Sequence, residues 1–133
     1  LNIFDTHMPG MQEGSVFSRS TIATGGLDQG NGHTCAILVN GSLYCWGDND
    51  YGQLGTGDTN QRNLPSYVDL GGGSAISVDA GTGHTCAIVE NGSLYCWGRN
   101  HKGQLGNDNF VNNQAAWMLE SKPINLGFGM YLD

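Results

Sequence analysis

Residues 34–38, Thr-Cys-Ala-Ile-Leu, and 42–46, Ser-Leu-Tyr-Cys-Trp, are two short apolar runs with Val39-Asn40-Gly41 between them. Runs of this length, rich in branched and aromatic residues and bounded by Gly, predict strands. Asn-Gly between two such strands predicts a β-hairpin. The loop length sets which residues face one another. A two-residue Asn-Gly loop places Cys35 opposite Trp46. A three-residue loop, with Gly41 in the left-handed region, places Cys35 opposite Cys45 instead. The same choice around Glu90-Asn91-Gly92 places Cys86 opposite Cys96, so the three-residue loop makes sense of all four cysteines. Weaker strands are predicted over 64–70 (LPSYVDL) and 74–81 (SAISVDAG).

The pattern is written twice. HTCAILVNGSLYCWG at 33–47 returns as HTCAIVENGSLYCWG at 84–98, a period of 51 residues. YGQLG at 51–55 returns in the same phase as KGQLG at 102–106. A period of this length, with several strands per unit, is that of propeller blades. Each unit reads as a strand, a hairpin, a Gly-rich turn and an outer strand. SKPINLG at 121–127 resembles PSYVDLG at 65–71, and GMYLD at 129–133 begins a third unit. Upstream, Leu27 and Asp28 fall where the second unit has Val78 and Asp79. The predicted division is an N-terminal arm 1–23, a repeat 24–70, a repeat 71–127 and a lone strand 128–133. The predicted fold class is all-β: about two four-stranded antiparallel blades of an incomplete β-propeller.

Gly32-His33, Asn40-Gly41, Trp46-Gly47, Asn49 and Gly52-Gln53-Leu54-Gly55 resemble the repeat of the regulator of chromosome condensation (RCC1-like) family. The second copy supplies Gly83-His84, Asn91-Gly92, Trp97-Gly98, Asn100 and Gly103-Gln104-Leu105-Gly106. The resemblance covers roughly residues 24 to 133 and implies four-stranded propeller blades. It does not by itself bring over nucleotide exchange or chromatin binding, which rest on a complete ring. The paired cysteines resemble the bacterial and secreted branch of the family, whose propellers act in binding or inhibition.

Composition narrows the function. Gly contributes 22 residues, charged residues 13% and hydrophobic residues 38%, with a net charge of −7. Five basic residues, Arg19, Arg62, Arg99, Lys102 and Lys122, make no stripe for phosphates, so nucleic acid is not an expected partner. No apolar run reaches the length of a membrane span. His33, Cys35 and Cys45 could be metal ligands, but zinc-knuckle spacing is missing. Disulfides Cys35–Cys45 and Cys86–Cys96 are the expectation, and they favour an extracellular or periplasmic (secreted) setting. Closing a loop of about ten residues contributes roughly 3 kcal/mol in the chain-entropy model.

No acid, base and nucleophile recur together, so no enzyme, metal or cofactor is expected. His33 and His84 are expected to hydrogen-bond to nearby backbone at strand starts. Trp46 and Trp97 are expected to pack between blades. Asn40 and Asn91 stand in Asn-Gly-Ser sequons and are possible glycosylation sites. Two blades leave an unfilled apolar face at each end, so other copies of the chain are the expected partners. Assembly, as a ring or a fibre, would run through Trp46, Trp97 and the terminal strand carrying Met130, Tyr131 and Leu132. The expected role is thus a non-enzymatic, self-assembling structural subunit. The alternative is a protein-binding propeller module, or a fragment of a larger RCC1-like binding or inhibitor protein.

Overall fold

The computed structural model describes residues 21–26 and 32–114. Among them, in chain order, lie strands β1 (Ile22–Gly25), β2 (His33–Ile37), β3 (Leu43–Gly47), β4 (Arg62–Val68), β5 (Ala75–Gly81), β6 (His84–Val89) and β7 (Leu94–Gly98). Strands β1 to β4 form one antiparallel sheet in sequence order, and β5 to β7 form a second. The protein is all-β, built of two propeller-type blades.

Both hairpins close through three-residue loops. The Gly41 N–H donates to Leu38 O at 2.9 Å, and Gly41 sits at φ +88°. The Ser42 N–H donates to Asn40 Oδ1 at 2.9 Å. The second loop repeats this: Gly92 N–H to Val89 O at 2.9 Å, Gly92 at φ +87°, and Ser93 N–H to Asn91 Oδ1 at 2.9 Å. Asn ties the loop with its side chain, and Gly alone takes the left-handed geometry without a Cβ penalty. The resulting register sets Cys35 opposite Cys45 and Cys86 opposite Cys96.

The outer strand of the first blade is irregular. Cys45 faces Ser66 and Gly47 faces Arg62, so the intervening β4 residues outnumber Trp46 opposite them. Pro65, which has no N–H to donate, falls within this irregular stretch of an outermost strand, where its loss to the ladder is tolerated. In the second blade, among the described residues, one bridge lies beyond β7, Gly98 to Asn113. Asn113 is Arg62, the first residue of β4, carried forward by the repeat period. The outer strand expected at 121–127 lies outside the described residues. So does the terminal strand with Met130, Tyr131 and Leu132.

The inner strand differs from the alignment of Leu27 with Val78. Ile22 pairs with Ala36 as Val78 pairs with Ala87, so Ile22 holds the place of Val78. The cause is the connection to the hairpin. It runs over 26–32 in the first blade but is only Thr82-Gly83 in the second. The insertion shifts the phase upstream of His33, and β1 begins at Ile22, ahead of the boundary expected at residue 24.

The core lies between the sheets, with β5 packed on β1 and β2. Ala23, Cys35, Leu43, Cys45 and Val68 of the first blade meet Val78, Ala87, Val89 and Trp97 of the second in one apolar cluster. This gives each blade two distinct faces. The back face of the first blade carries His33, Cys35 and Ile37. It covers the front face of the second, which carries Thr85, Ala87 and Val89. Identical residues therefore take opposite burial. In β2, His33 and Cys35 are buried while Thr34 and Ala36 are half-buried; in β6, Thr85 and Ala87 are buried while His84 and Cys86 are half-buried.

Candidate functional site

One carbonyl of the first blade accepts two hydrogen bonds across the seam between the blades. Gln53, in the Gly-Gln-Leu-Gly turn of the first blade, presents its backbone oxygen to two donors of the second. The Thr85 hydroxyl donates to it at 2.7 Å and the Trp97 indole N–H at 2.9 Å. A carbonyl cannot donate, so the Thr85 hydrogen is committed there. The ring of His33, 2.8 Å from Thr85 Oγ1, must then donate from Nε2. That fixes the neutral tautomer and leaves Nδ1 as a bare acceptor, buried and without a partner among the described residues. Burial, and then the nearby His84, push His33 down from 6.5 to about 4. His33 thus bonds across the seam to the Thr85 side chain, not to nearby backbone at its own strand start.

Among the described residues, two backbone hydrogen bonds also cross the seam. The Ala75 N–H donates to Gly41 O at 2.9 Å, which anchors β5 on the first hairpin loop. The Gly57 N–H donates to Gln114 O at 2.9 Å.

Buried asparagines shape the rim loops. Asn49 Nδ2 donates to Asp58 O at 3.0 Å and Asn60 O at 2.9 Å, and its Oδ1 accepts from the Leu54 N–H at 3.0 Å. Asn100 does the same with Asn109 O at 2.9 Å, Val111 O at 3.0 Å and the Leu105 N–H at 3.0 Å. Each Asn replaces the backbone ladder that a loop lacks, which is why both are fully buried yet satisfied. Beside the first loop, Arg62 bonds both carboxylate oxygens of Asp58, at 3.2 and 2.9 Å. That bond, followed by the Asn60 N–H, holds the Asp58 carboxyl down at about 2.

Between the rim loops lies a crevice of about 120 Å³. His33, Asp48, Asp50, Tyr51 and Gln53 line it from the first blade; Thr82, Gly83 and Arg99 line it from the second. Gln53 Nε2 donates to Asp48 Oδ2 at 3.1 Å, leaving the other carboxylate oxygen available. The Arg99 guanidinium stacks over the Tyr51 ring, 4.7 Å from its centroid, and donates to His101 Nδ1 at 2.9 Å. The crevice can receive a positively charged group on the Asp48 and Asp50 side.

The residues singled out from the sequence are dispersed. Trp97 is fully buried at the seam, whereas its counterpart Trp46 is half-buried on the front face of the first blade. Cys35 is joined to Cys45 and Cys86 to Cys96, each pair across its own hairpin. Asn40 and Asn91 are exposed at hairpin tips, with their side-chain oxygens engaged in the loops. Gln53, Thr85 and Asn49 were missed as seam and rim residues. Their signal was present, since Gln53/Gln104, Thr34/Thr85 and Asn49/Asn100 recur in phase. Asp48, Asp50 and Tyr51 carry no such signal, because their counterparts are Arg99, His101 and Lys102.

Comparison with known proteins bears on all of this. The family model of the regulator of chromosome condensation (RCC1) repeat matches residues 40–88 and 91–128, more than half of the chain. Protein RCC2 homolog of Xenopus laevis is 40% identical over 121 residues, 88% of this chain and 22% of that protein. The E3 ubiquitin-protein ligase MYCBP2 of Danio rerio is 33% identical over 96 residues, 71% of this chain but 2% of that protein. The structure of yeast RCC1 (Prp20) bound to Kap60 aligns with a TM-score of 0.59 at 21% identity, over 87% of this chain and 26% of that one. Prp20p of Saccharomyces cerevisiae, studied with its binding to Gsp1p and histones, aligns with a TM-score of 0.55 at 24% identity, over 76% and 25%. At such identities the structural matches bear on the fold alone. The chain spans about a fifth of the RCC2 homolog.

These relatives overturn the extracellular or periplasmic placement: RCC2 and RCC1/Prp20 are nuclear or cytoplasmic proteins. The misreading has a physical cause. A three-residue loop centred on Asn40 sets whatever residues stand at 35 and 45 opposite one another, and buried Cys also serves simply as a small apolar side chain. A facing pair therefore does not require an oxidising compartment. With the matched repeats, the two in-phase blades and the shared propeller fold together, the chain belongs to the RCC1 repeat family.

Proposed function

We propose that this chain is a non-enzymatic, protein-binding segment of an RCC1-type propeller, and that the rim crevice between its blades receives a basic side chain of a protein partner. The observation that carries this is the crevice itself. It sets Asp48 and Asp50 at a seam while the nearby cation, Arg99, is engaged by Tyr51 and His101. A net charge of −7 favours encounter with a basic surface and makes it sensitive to salt. RCC1-repeat relatives are mostly binding and regulatory proteins, and the ligase match covers too little of that enzyme to bring its activity here. The relatives also favour a binding module over a structural subunit of a fibre.

The test uses short peptides carrying a single Arg or Lys, with acidic and neutral sequences as controls. Binding should favour the basic peptides, weaken with added salt, and fall roughly tenfold in Asp50→Asn, the loss of about one charge-assisted contact. Equal binding of acidic and basic peptides, or none of either, would overturn the reading.

In the same proposal, Cys35–Cys45 and Cys86–Cys96 brace the two hairpins as cross-strand bonds, and Asn40 and Asn91 serve as loop ties. Peptide mapping without reductant that returned free thiols would remove the bracing role.

A further inference from the structure

The rim loop of the second blade, residues 99–112, repeats the loop 48–61 of the first. The ties within it are the same. Asn109 Oδ1 accepts from the Val111 N–H at 2.9 Å, as Asp58 Oδ1 accepts from the Asn60 N–H at 2.9 Å. Asn100 holds Val111 O as Asn49 holds Asn60 O. Asp108 takes φ +66° where Gly57 takes φ +84°. The side chains differ at the apex, where Phe110-Val111 replace Thr59-Asn60. The loop closes equally well around the polar pair, so its fold does not call for two apolar side chains. Yet Phe110 is 71% exposed and Val111 69%. Thr59 and Asn60 are exposed as well, although the second blade packs beside the first. Exposure at these two positions is therefore a property of the loop, and a neighbouring blade does not cover them.

The pair adjoins the crevice. A Cβ on Gly103 would lie 3.3 Å from Phe110 Cε1, so the phenyl ring rests on the Gly103 turn. That turn is closed by the Gly103 N–H donating to Asn100 O at 2.9 Å, and it follows Arg99 on the crevice wall. Four residues span at most about 14 Å, the length of about four extended residues of a bound peptide. We propose that Phe110 and Val111 are a second anchor for the partner of the crevice. The partner is a protein segment that sets one basic side chain against Asp48 and Asp50 and lays an apolar side chain, two to four residues away, on Phe110 and Val111. The inference rests on the crevice reading and says which basic segments fit it. Charge narrows the occupant. Arg99 and the exposed Lys102 lie between the two anchors, so a run of basic residues is opposed there, while one basic residue with uncharged neighbours is not. The apolar contact adds affinity through burial and is insensitive to salt, unlike the ionic one.

The test titrates the full 133-residue chain with peptides containing Arg-Ser-Gly-Leu or the reverse order, Leu-Gly-Ser-Arg, each against the same peptide with Ser in place of Leu. In one of the two orders Leu should strengthen binding roughly tenfold, and that advantage should persist at high salt while overall affinity falls. The double variant Phe110→Thr, Val111→Asn carries the residues of the first blade. It should erase the advantage of Leu, leave the Ser peptide bound as before, and keep the urea midpoint of the parent. Phe110→Thr alone should reduce the advantage to about threefold, and it decides the matter if the double variant fails to fold. Asp50→Asn should weaken the Leu and Ser peptides equally. Binding of the Ser peptide with no advantage to Leu in either order would overturn this inference alone. So would an advantage that survives in folded Phe110 variants. No binding by any of the peptides would overturn the crevice reading and this inference with it.

Discussion

Thr85 shows how much one hydroxyl can carry. It accepts from His33 and donates to Gln53 O, with its side chain fully buried. Thr85→Val keeps the shape but leaves the His33 N–H unpaired, and should cost about 1–3 kcal/mol. Urea denaturation should show this as a lowered midpoint with unchanged slope. His33 gives the seam a pH dependence. Its folded value of about 4 lies below its ordinary 6.5, so the unfolded chain takes up the proton first as pH falls. The contribution is complete above pH 6.5, declines through the interval, and is largely gone near pH 4, amounting to roughly 3 kcal/mol. Denaturation midpoints taken across that interval should flatten in His33→Gln. Gly98 sets a steric limit at the same seam. At φ +108°, an added Cβ would lie 2.5 Å from Gly83 O and 2.9 Å from the His84 Cα. Gly98→Ala is therefore expected to destabilise more than a surface substitution would, measured the same way.

At the scale of elements, the two hairpins are alike in sequence and differ in surroundings. Cys35 and Cys45 are fully buried, whereas Cys86 and Cys96 are half-buried. Thiol exchange needs access to a sulfur. Limiting reductant followed by alkylation and peptide mapping should therefore label Cys86 and Cys96 first. Labelling both pairs at equal rates would mean that the seam opens faster than exchange. The rim loops depend on their asparagines. Asn49→Ala removes two donor contacts and the acceptor for the Leu54 N–H, and should cost about 2–4 kcal/mol. Hydrogen exchange should quicken over residues 48–62 before the hairpin is affected. The hairpins themselves were legible, because loop length, Asn-Gly and the facing cysteines agree on one register. The inner strand of the first blade was not. An insertion over 26–32 breaks the period, and Ile22-Ala23-Thr24 has no local feature that separates it from the flanking chain.

At the scale of the whole molecule, the blades act on each other through surfaces that neither has alone. Asp48, Asp50 and Tyr51 gain their meaning only when Thr82, Gly83 and Arg99 of the next repeat stand across from them. A chain with Arg99→Ala should free the Tyr51 ring and make the crevice more acidic, raising affinity for basic peptides severalfold at low salt and much less at high salt. Isothermal titration at two salt concentrations measures both. The sequence by itself determined the hairpin strands, their register and the repeat, because these follow from alternation, turn chemistry and a period that the chain states twice. It could not determine burial. His-Thr-Cys-Ala occurs at both 33–36 and 84–87, yet the first and third residues are the buried ones in one copy and the second and fourth in the other. Local chemistry is the same in both. What differs is the side on which a neighbouring blade lies, and only the packing of one sheet on the next decides that.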